Sequence, residues 1–162
     1  MQKNTVLRVA QLRDLTSPAV EEILAWGLLT TEDYLKNNRE EAIGLARDLT
    51  KGRIFCLENN EACVRLYFKH FRARTAGICE EDAVKEQLRV LKVFHDYSPK
   101  PASGKWGEYT EEAWKGIIGY MTNTGQIDTP VDPASLYTND LVVEINAFDP
   151  DVAIEAARKA AE

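Results

Sequence analysis

The side chains that most often carry out chemistry are few in this sequence and are not spaced for it. The cysteines, Cys56, Cys63 and Cys79, include no Cys-x-x-Cys pair, and the histidines, His70 and His95, lie outside any metal-ligand spacing. We therefore expect reduced cysteines that pack as small apolar groups, and no bound metal. His70 is expected to be a hydrogen-bonded histidine at the edge of the core rather than a ligand or a base.

Two runs of acidic residues, Glu80-Glu81-Asp82 and Glu111-Glu112, resemble the paired carboxylates of acid–base catalysis. Each run begins a predicted helix, where acidic side chains interact favourably with the helix dipole, so we interpret both as helix starts. The sequence contains no phosphate-binding glycine-rich loop, no nucleophile elbow and no His-Glu-x-x-His motif. The motifs therefore predict a protein that is not an enzyme and that has no cofactor.

Length and composition predict one globular domain. The chain has 162 residues, of which 44% are hydrophobic and 28% charged, and its net charge is −6. A chain of this length buries enough surface to fold without a disulfide or a metal. The acidic balance argues against nucleic acid or an anionic membrane as a partner. Residues 1–12 have no apolar run typical of a signal peptide, and no stretch approaches the roughly 18 apolar residues of a membrane span, so the sequence as written predicts neither export nor membrane insertion.

The hydrophobic pattern predicts a short sheet near the N-terminus, followed by helices. Val6–Leu12 and Ile23–Leu29 are the predicted strands, and the first is apolar on both alternations, as in a strand that is covered on both faces. The single domain then divides into a strand- or hinge-like segment, residues 1–29, and a helical segment, residues 30–162. The predicted fold class is α+β, mainly α.

Capping residues and apolar spacing predict at least six helices in the second segment. Trp114 is expected in the core, because it lies on one helical stripe with Ile117 and Met121. Residues 141–148 are ambiguous by pattern. The predicted helices are Glu32–Lys36 after Thr30, Asn38 to Gly52, Arg53–Leu57, Glu61–Ala73 after Asn59 or Asn60, Glu80–Tyr97, Thr110 to about Asn123, and a last helix after Asp149.

Several stretches of the helical segment together resemble the substrate-binding proteins of nitrate, sulfonate, taurine and thiamine-pyrimidine ABC transporters. The run Leu29–Asn38 is similar to the motif at which the family's return helices begin. That motif consists of threonine, an acidic residue, an aromatic residue, leucine, lysine and asparagine. The break at Lys51-Gly52 and the step Glu58–Ala62 follow at the family's spacing. The stretches Gly125–Asp132 and Leu136–Asp149 are similar to its C-terminal signature, in which a Tyr-Thr-Asn turn starts a helix.

The resemblance extends over roughly residues 24–160 and implies the helical return segment of a type 2 periplasmic-binding-protein-like fold with an incomplete sheet. It implies that residues 139–147 are helical, and that the family's N-terminal sheet-bearing region and most of its second lobe are missing from this sequence. The implied function is that of a solute-binding component of an ABC importer, or a fragment of one, for a small nitrogen- or sulfur-containing molecule or anion. An ABC permease would be its partner if it is part of a full-length protein, and its location would then be extracytoplasmic.

Ligand contacts are expected at Arg13 and Asp14, where the first strand ends, with Trp26 behind them. The competing interpretation is a polar turn before Ser17-Pro18. Because the second lobe is missing, the chain alone is expected to bind such solutes weakly or not at all.

An alternative function is a stand-alone, non-exported protein-interaction module, which would be cytoplasmic if Met1 is the native start. The three cysteines and the lack of an export signal favour it. In either case we expect a homodimer, because a two-stranded sheet is marginal in water and a second copy would complete it through Val6–Leu12. The competing interpretation is that this segment packs as an arm on the chain's own helices.

Overall fold

A computed structural model describes residues 27–71, 77, 79–98, 100–129 and 131–160. The described residues are mainly helical, as predicted, and contain no strand. The predicted strand Val6–Leu12 lies outside them, and residues 27–29, the described end of the second predicted strand, form no regular structure. A sheet is therefore not found in the described part of the chain.

The helices group in two compact units. The larger unit contains α1 to α4, α6 and α7, and the smaller one contains α5 with a short 3-10 helix. The bounds are Glu32–Asn37 (α1), Arg39–Glu58 (α2), Asn60–His70 (α3), Glu80–Tyr97 (α4), Glu111–Asn123 (α5), Val142–Ile145 (α6), Asp151–Lys159 (α7) and Pro133–Ser135 (3-10 helix).

Helix α2 is continuous where the sequence pattern predicts two helices. The prediction that Gly52 ends the first helix is wrong, because the turn that contains this glycine is held by packing on both sides. Thr50 and Arg53 are only 9% and 8% exposed, and the Thr50 hydroxyl donates a hydrogen bond to the carbonyl of Ala46 at 2.8 Å. Such packing outweighs the cost of about 1 kcal/mol that glycine adds within a helix. The last turn of α2 therefore leads directly into α3.

The main hydrophobic cluster of the larger unit lies between α3 and α4. It contains Val64, Phe68, Ala83 and Val84, with Leu88 and Leu91 packed beside it. The predicted bounds of α4 are confirmed. The apolar stripe that the sequence predicts for its core face, Val84, Leu88 and Leu91, is confirmed as well, whereas Val90 and Phe94 beside it are exposed.

The buried face that the sequence pattern predicts for α3 is confirmed only in part. Of its members, Ala62 is buried, whereas three others are exposed, namely Leu66, Tyr67 and Phe71. The sequence pattern favours Leu66 and Phe71 as core residues, but they are 42% and 58% exposed, and His70 is also exposed. Packing against α4 buries Val64 and Phe68 instead, which lie on the neighbouring stripe of the same helix. Apolar residues on both stripes made the sequence pattern ambiguous, and only the contact with α4 decides between them.

Three of the described α-helices begin at a residue whose side chain accepts a backbone N–H. Thr31, not the predicted Thr30, caps α1 through Tyr34, because its hydroxyl lies 3.1 Å from that backbone nitrogen. Thr110 caps α5, as predicted. Of the two predicted candidates for the cap of α3, the structure selects Asn59 over Asn60.

Two interactions fix the segments that contain the C-terminal signature. In the larger unit, the Asn146 side chain bonds the backbone N–H and carbonyl of Trp106 at 2.9 and 2.8 Å, just after the short helix α6. In the smaller unit, Trp114 is half-buried rather than buried. Its ring stacks on Tyr137 at 5.7 Å and meets Tyr109 edge-on at 5.9 Å, and these rings cover it only in part.

Asn59 is expected to contribute measurably to stability, because it links two helices. Its side-chain oxygen accepts the Ala62 N–H at 3.0 Å, and its amide donates to the carbonyl of Ala157 in α7 at 2.8 Å. Asn59→Ala should lower the free energy of unfolding by about 1–2 kcal/mol in urea titrations. Asn59→Asp keeps the cap but loses the donor, so it should cost less. Asn37→Ala, at an exposed site, is the control, and an equal loss there would contradict this role for Asn59.

Candidate functional site

The candidate site is a polar corner where α2 ends, α3 begins and α4 ends. Only Asn59 separates α2 from α3, so the last turn of one helix faces the first turn of the next. Because α4 packs against α3, its last turn reaches the same place. We call this site the polar corner and define it by Arg53, Asn60 and His95.

Arg53 brings a positive charge into the polar corner. Its side chain is partnered by an imidazole, a carbonyl and an aromatic ring rather than by a carboxylate. One guanidinium nitrogen, Nη1, donates to Nδ1 of His95 at 2.5 Å, and Nη2 donates to the carbonyl oxygen of Ser98 at 2.6 Å. The guanidinium carbon lies 4.7 Å from the centre of the Phe94 ring, a cation–π distance. Burial lowers the pKa of Arg53 but leaves the group charged.

His95 connects the other two members of the polar corner. Nδ1 accepts from Arg53, and Nε2 donates to the Asn60 side-chain oxygen at 2.6 Å. Only the neutral ring with its proton on Nε2 makes both bonds. Burial lowers the pKa of His95, the Arg53 charge lowers it further, and Asp96 opposes the shift. The polar corner thus stabilises a neutral histidine.

Cys56 and Cys63 form a disulfide beside the polar corner, so the prediction that they are reduced is wrong. Their Cα atoms are 5.0 Å apart, within the range of about 4.4–6.8 Å that a disulfide requires. This proximity arises from the continuous α2 and its tight junction with α3, neither of which follows from the cysteine spacing. Cys79, just before α4, is free and exposed.

The hydrogen bonds of the polar corner connect three helices. Both nitrogens of the His95 ring are engaged, and the neighbouring sulfurs are bonded to each other. Within the described residues, no group of three or more His, Cys, Asp or Glu side chains converges as metal ligands would.

An open groove of about 690 Å³ also lies in the larger unit. It is lined by Ala62, Arg65, Leu66, Phe68, Lys69, Glu80 and Ala160. Its arginine is already occupied, because the guanidinium donates to Glu61 at 2.8 and 3.0 Å and to Glu81 at 3.1 and 3.2 Å. These contacts hold the pKa of Glu81 below its usual range and leave this arginine paired with carboxylates.

The site residues predicted from the sequence, Arg13, Asp14 and Trp26, lie outside the described residues. Arg53 and Asn60 are not among the site residues predicted from the sequence. A signal for Arg53 exists, since it lies at helical spacing from Ile43, Ala46 and Thr50, which form the buried face of α2. A charged residue at the end of a buried stripe indicates a polar network inside the fold.

Comparison with family models, curated proteins and solved structures finds no match. In the part of the chain that the structure describes, no helix is both long enough and apolar enough to cross a membrane.

The lowered pKa of His95 predicts how stability depends on pH. The unfolded chain binds a proton more readily than the folded one, so the free energy of unfolding should be highest above pH about 6.5 and should fall as the pH drops below it. Urea unfolding between pH 5 and 7.5 measures this dependence. His95→Gln should flatten it, whereas His70→Gln, at an exposed site, should retain it. Equal pH dependence of the wild-type protein and His95→Gln would contradict the assignment.

Proposed function

We propose that the chain is the helical C-terminal part of a solute-binding component of an ABC importer, with the type 2 periplasmic-binding-protein-like fold that its sequence resembles. Its ligand is a small nitrogen- or sulfur-containing molecule or anion. It acts by binding and domain closure, without covalent chemistry, and delivers the solute to an ABC permease.

The disulfide between Cys56 and Cys63 is the observation that carries this proposal. Stable disulfides are typical of oxidising compartments outside the cytoplasm, where the solute-binding components of importers work, and are rare in the cytosol. As long as the cysteines are taken as reduced, they favour a non-exported module. Once two of them are paired, the same residues favour an extracytoplasmic protein.

Local structure at the C-terminal signature also supports the proposal. The Asp132 side chain caps the 3-10 helix by accepting the Ala134 N–H at 3.0 Å, and Tyr137 after it stacks on Trp114. In the larger unit, the Asn139 carbonyl accepts the Val142 N–H at 3.1 Å at the start of α6. The Tyr-Thr-Asn segment is followed by a helix, but that helix covers only Val142–Ile145, whereas the resemblance implies a helix over residues 139–147.

Cell fractionation with thiol trapping tests the proposal on the natural gene product, tagged at its C-terminus. We expect the protein in the extracytoplasmic fraction, where a maleimide reagent should label only Cys79 until the sample is reduced. A Cys79→Ser variant is the control and should take up no label before reduction. Recovery from the cytoplasm with all three cysteines labelled would overturn the proposal.

Measurement of solute uptake by cells tests the proposed transport function. Disruption of the gene should abolish uptake of one of four compound classes, namely nitrate, taurine, other alkanesulfonates or thiamine pyrimidines. The Cys56→Ser/Cys63→Ser pair should restore uptake only in part, because the α2–α3 junction is weakened. Unchanged uptake of all four after disruption would contradict the transport role.

A second candidate function is a protein-interaction module that assembles as a homodimer, and exposed apolar side chains favour it. Leu45 and Leu49 lie one turn apart on α2 and are 58% and 44% exposed. A paired apolar row on one helix is typical of a contact surface.

Light scattering behind a sizing column tests the second candidate at tens of micromolar protein. A dimer that Leu45→Glu converts into a monomer would support it. Val152→Glu, at a similarly exposed site on α7, is the matched control and should remain dimeric. A monomeric wild-type protein would contradict it.

A further inference from the structure

The disulfide and the polar corner connect the same two helix ends. Cys56 follows Arg53 by three residues on α2, and Cys63 follows Asn60 by three residues on α3. Residues three apart are neighbours on one face of a helix. One covalent bond and one chain of hydrogen bonds through His95 therefore lie side by side across the α2–α3 junction.

We propose that the polar corner is a redox-linked proton site, in which the Cys56–Cys63 disulfide favours neutral His95 and reduction of the disulfide favours protonated His95. This inference goes beyond the proposed function and does not depend on it.

In the oxidised protein, the disulfide holds Arg53 and Asn60 at the spacing that suits the neutral ring. A proton on Nδ1 would replace the acceptor of Arg53 with a second donor and would place two cations side by side. The groups that face the ring are Arg53 from α2, the uncharged Asn60 from α3, and Asp96 of its own helix. Only Asp96 favours the proton, and it does so in both redox states.

In the reduced protein, the last turn of α2 and the first turn of α3 are joined only by the backbone at Asn59 and no longer by a side-chain cross-link. Arg53 can then move away from His95 and retain its bond to the Ser98 carbonyl, so protonation costs less. A dithiol supplies two electrons and two protons. The S–S bond breaks, both sulfurs become thiols, and the reagent becomes a disulfide. Because linkage is reciprocal, a proton on His95 must also make the pair easier to reduce.

NMR titration of the histidine Cε1–H signals between pH 4.5 and 8 measures the first half of this linkage. The samples are the oxidised protein and the protein reduced with dithiothreitol, both carrying Cys79→Ser. The His95 midpoint should rise by about half a pH unit on reduction, which is about a threefold change in proton affinity. The signal of His70, exposed on α3, is the reference. Equal His95 midpoints in the two samples would overturn the proposal.

The redox equilibrium of the Cys56–Cys63 pair measures the second half of the linkage, which is the effect of the His95 proton on reduction. The experiment uses no variant of Cys56 or Cys63, so it does not depend on whether such a variant folds. Wild-type protein and His95→Gln, each with Cys79→Ser, are equilibrated in glutathione buffers at pH 5 and 7.5, and the thiols are trapped and counted by mass. The ratio of reduced to oxidised protein, wild type over variant, should be higher at pH 5 than at pH 7.5, by up to about threefold. The same value at both pH values would overturn the proposal. Neither measurement depends on the compartment or the solute, so it can fail while the proposed function holds.

Discussion

The packing of α2, α3 and α4 depends on how one buried charge is accommodated. Arg53 reaches the junction of the three helices with 8% of its surface exposed, where an unpartnered guanidinium would be very unfavourable. The surrounding residues compensate through a neutral histidine, a backbone carbonyl and an aromatic face. Each of these partners lies in α4 or directly after it. The charge on α2 is therefore accommodated by the C-terminal end of α4.

Local signals in the sequence predict much of this fold, and contacts between helices account for the rest. The bounds of α4 and the caps at Asn59 and Thr110 follow from residues close in sequence, so they can be read directly. The continuation of α2 through Gly52 cannot, because the packing of its neighbours outweighs the glycine. The buried face of α3 depends likewise on α4.

The residues of the polar corner likewise cannot be predicted from local signals in the sequence. Its members are distant in sequence, since His95 lies far from Arg53 and Asn60, and no spacing rule joins them. The disulfide also cannot be predicted from the spacing of the cysteines, because it depends on the tight turn at Asn59. That pair nevertheless supports one of the proposed functions over the other. A disulfide fits the solute-binding component proposed from the resemblance better than it fits a cytoplasmic module.

A double-mutant cycle between Arg53 and Asn60 tests most directly whether the hydrogen-bond chain through His95 holds the polar corner together. Arg53→Met, Asn60→Ala and the double variant are unfolded in urea at pH 7.5, where His95 is neutral. The two side chains bond opposite nitrogens of one ring, so their effects should be non-additive by at least about 0.5 kcal/mol. Effects that add within about 0.3 kcal/mol would show that the two residues act independently, which would contradict this account of the junction.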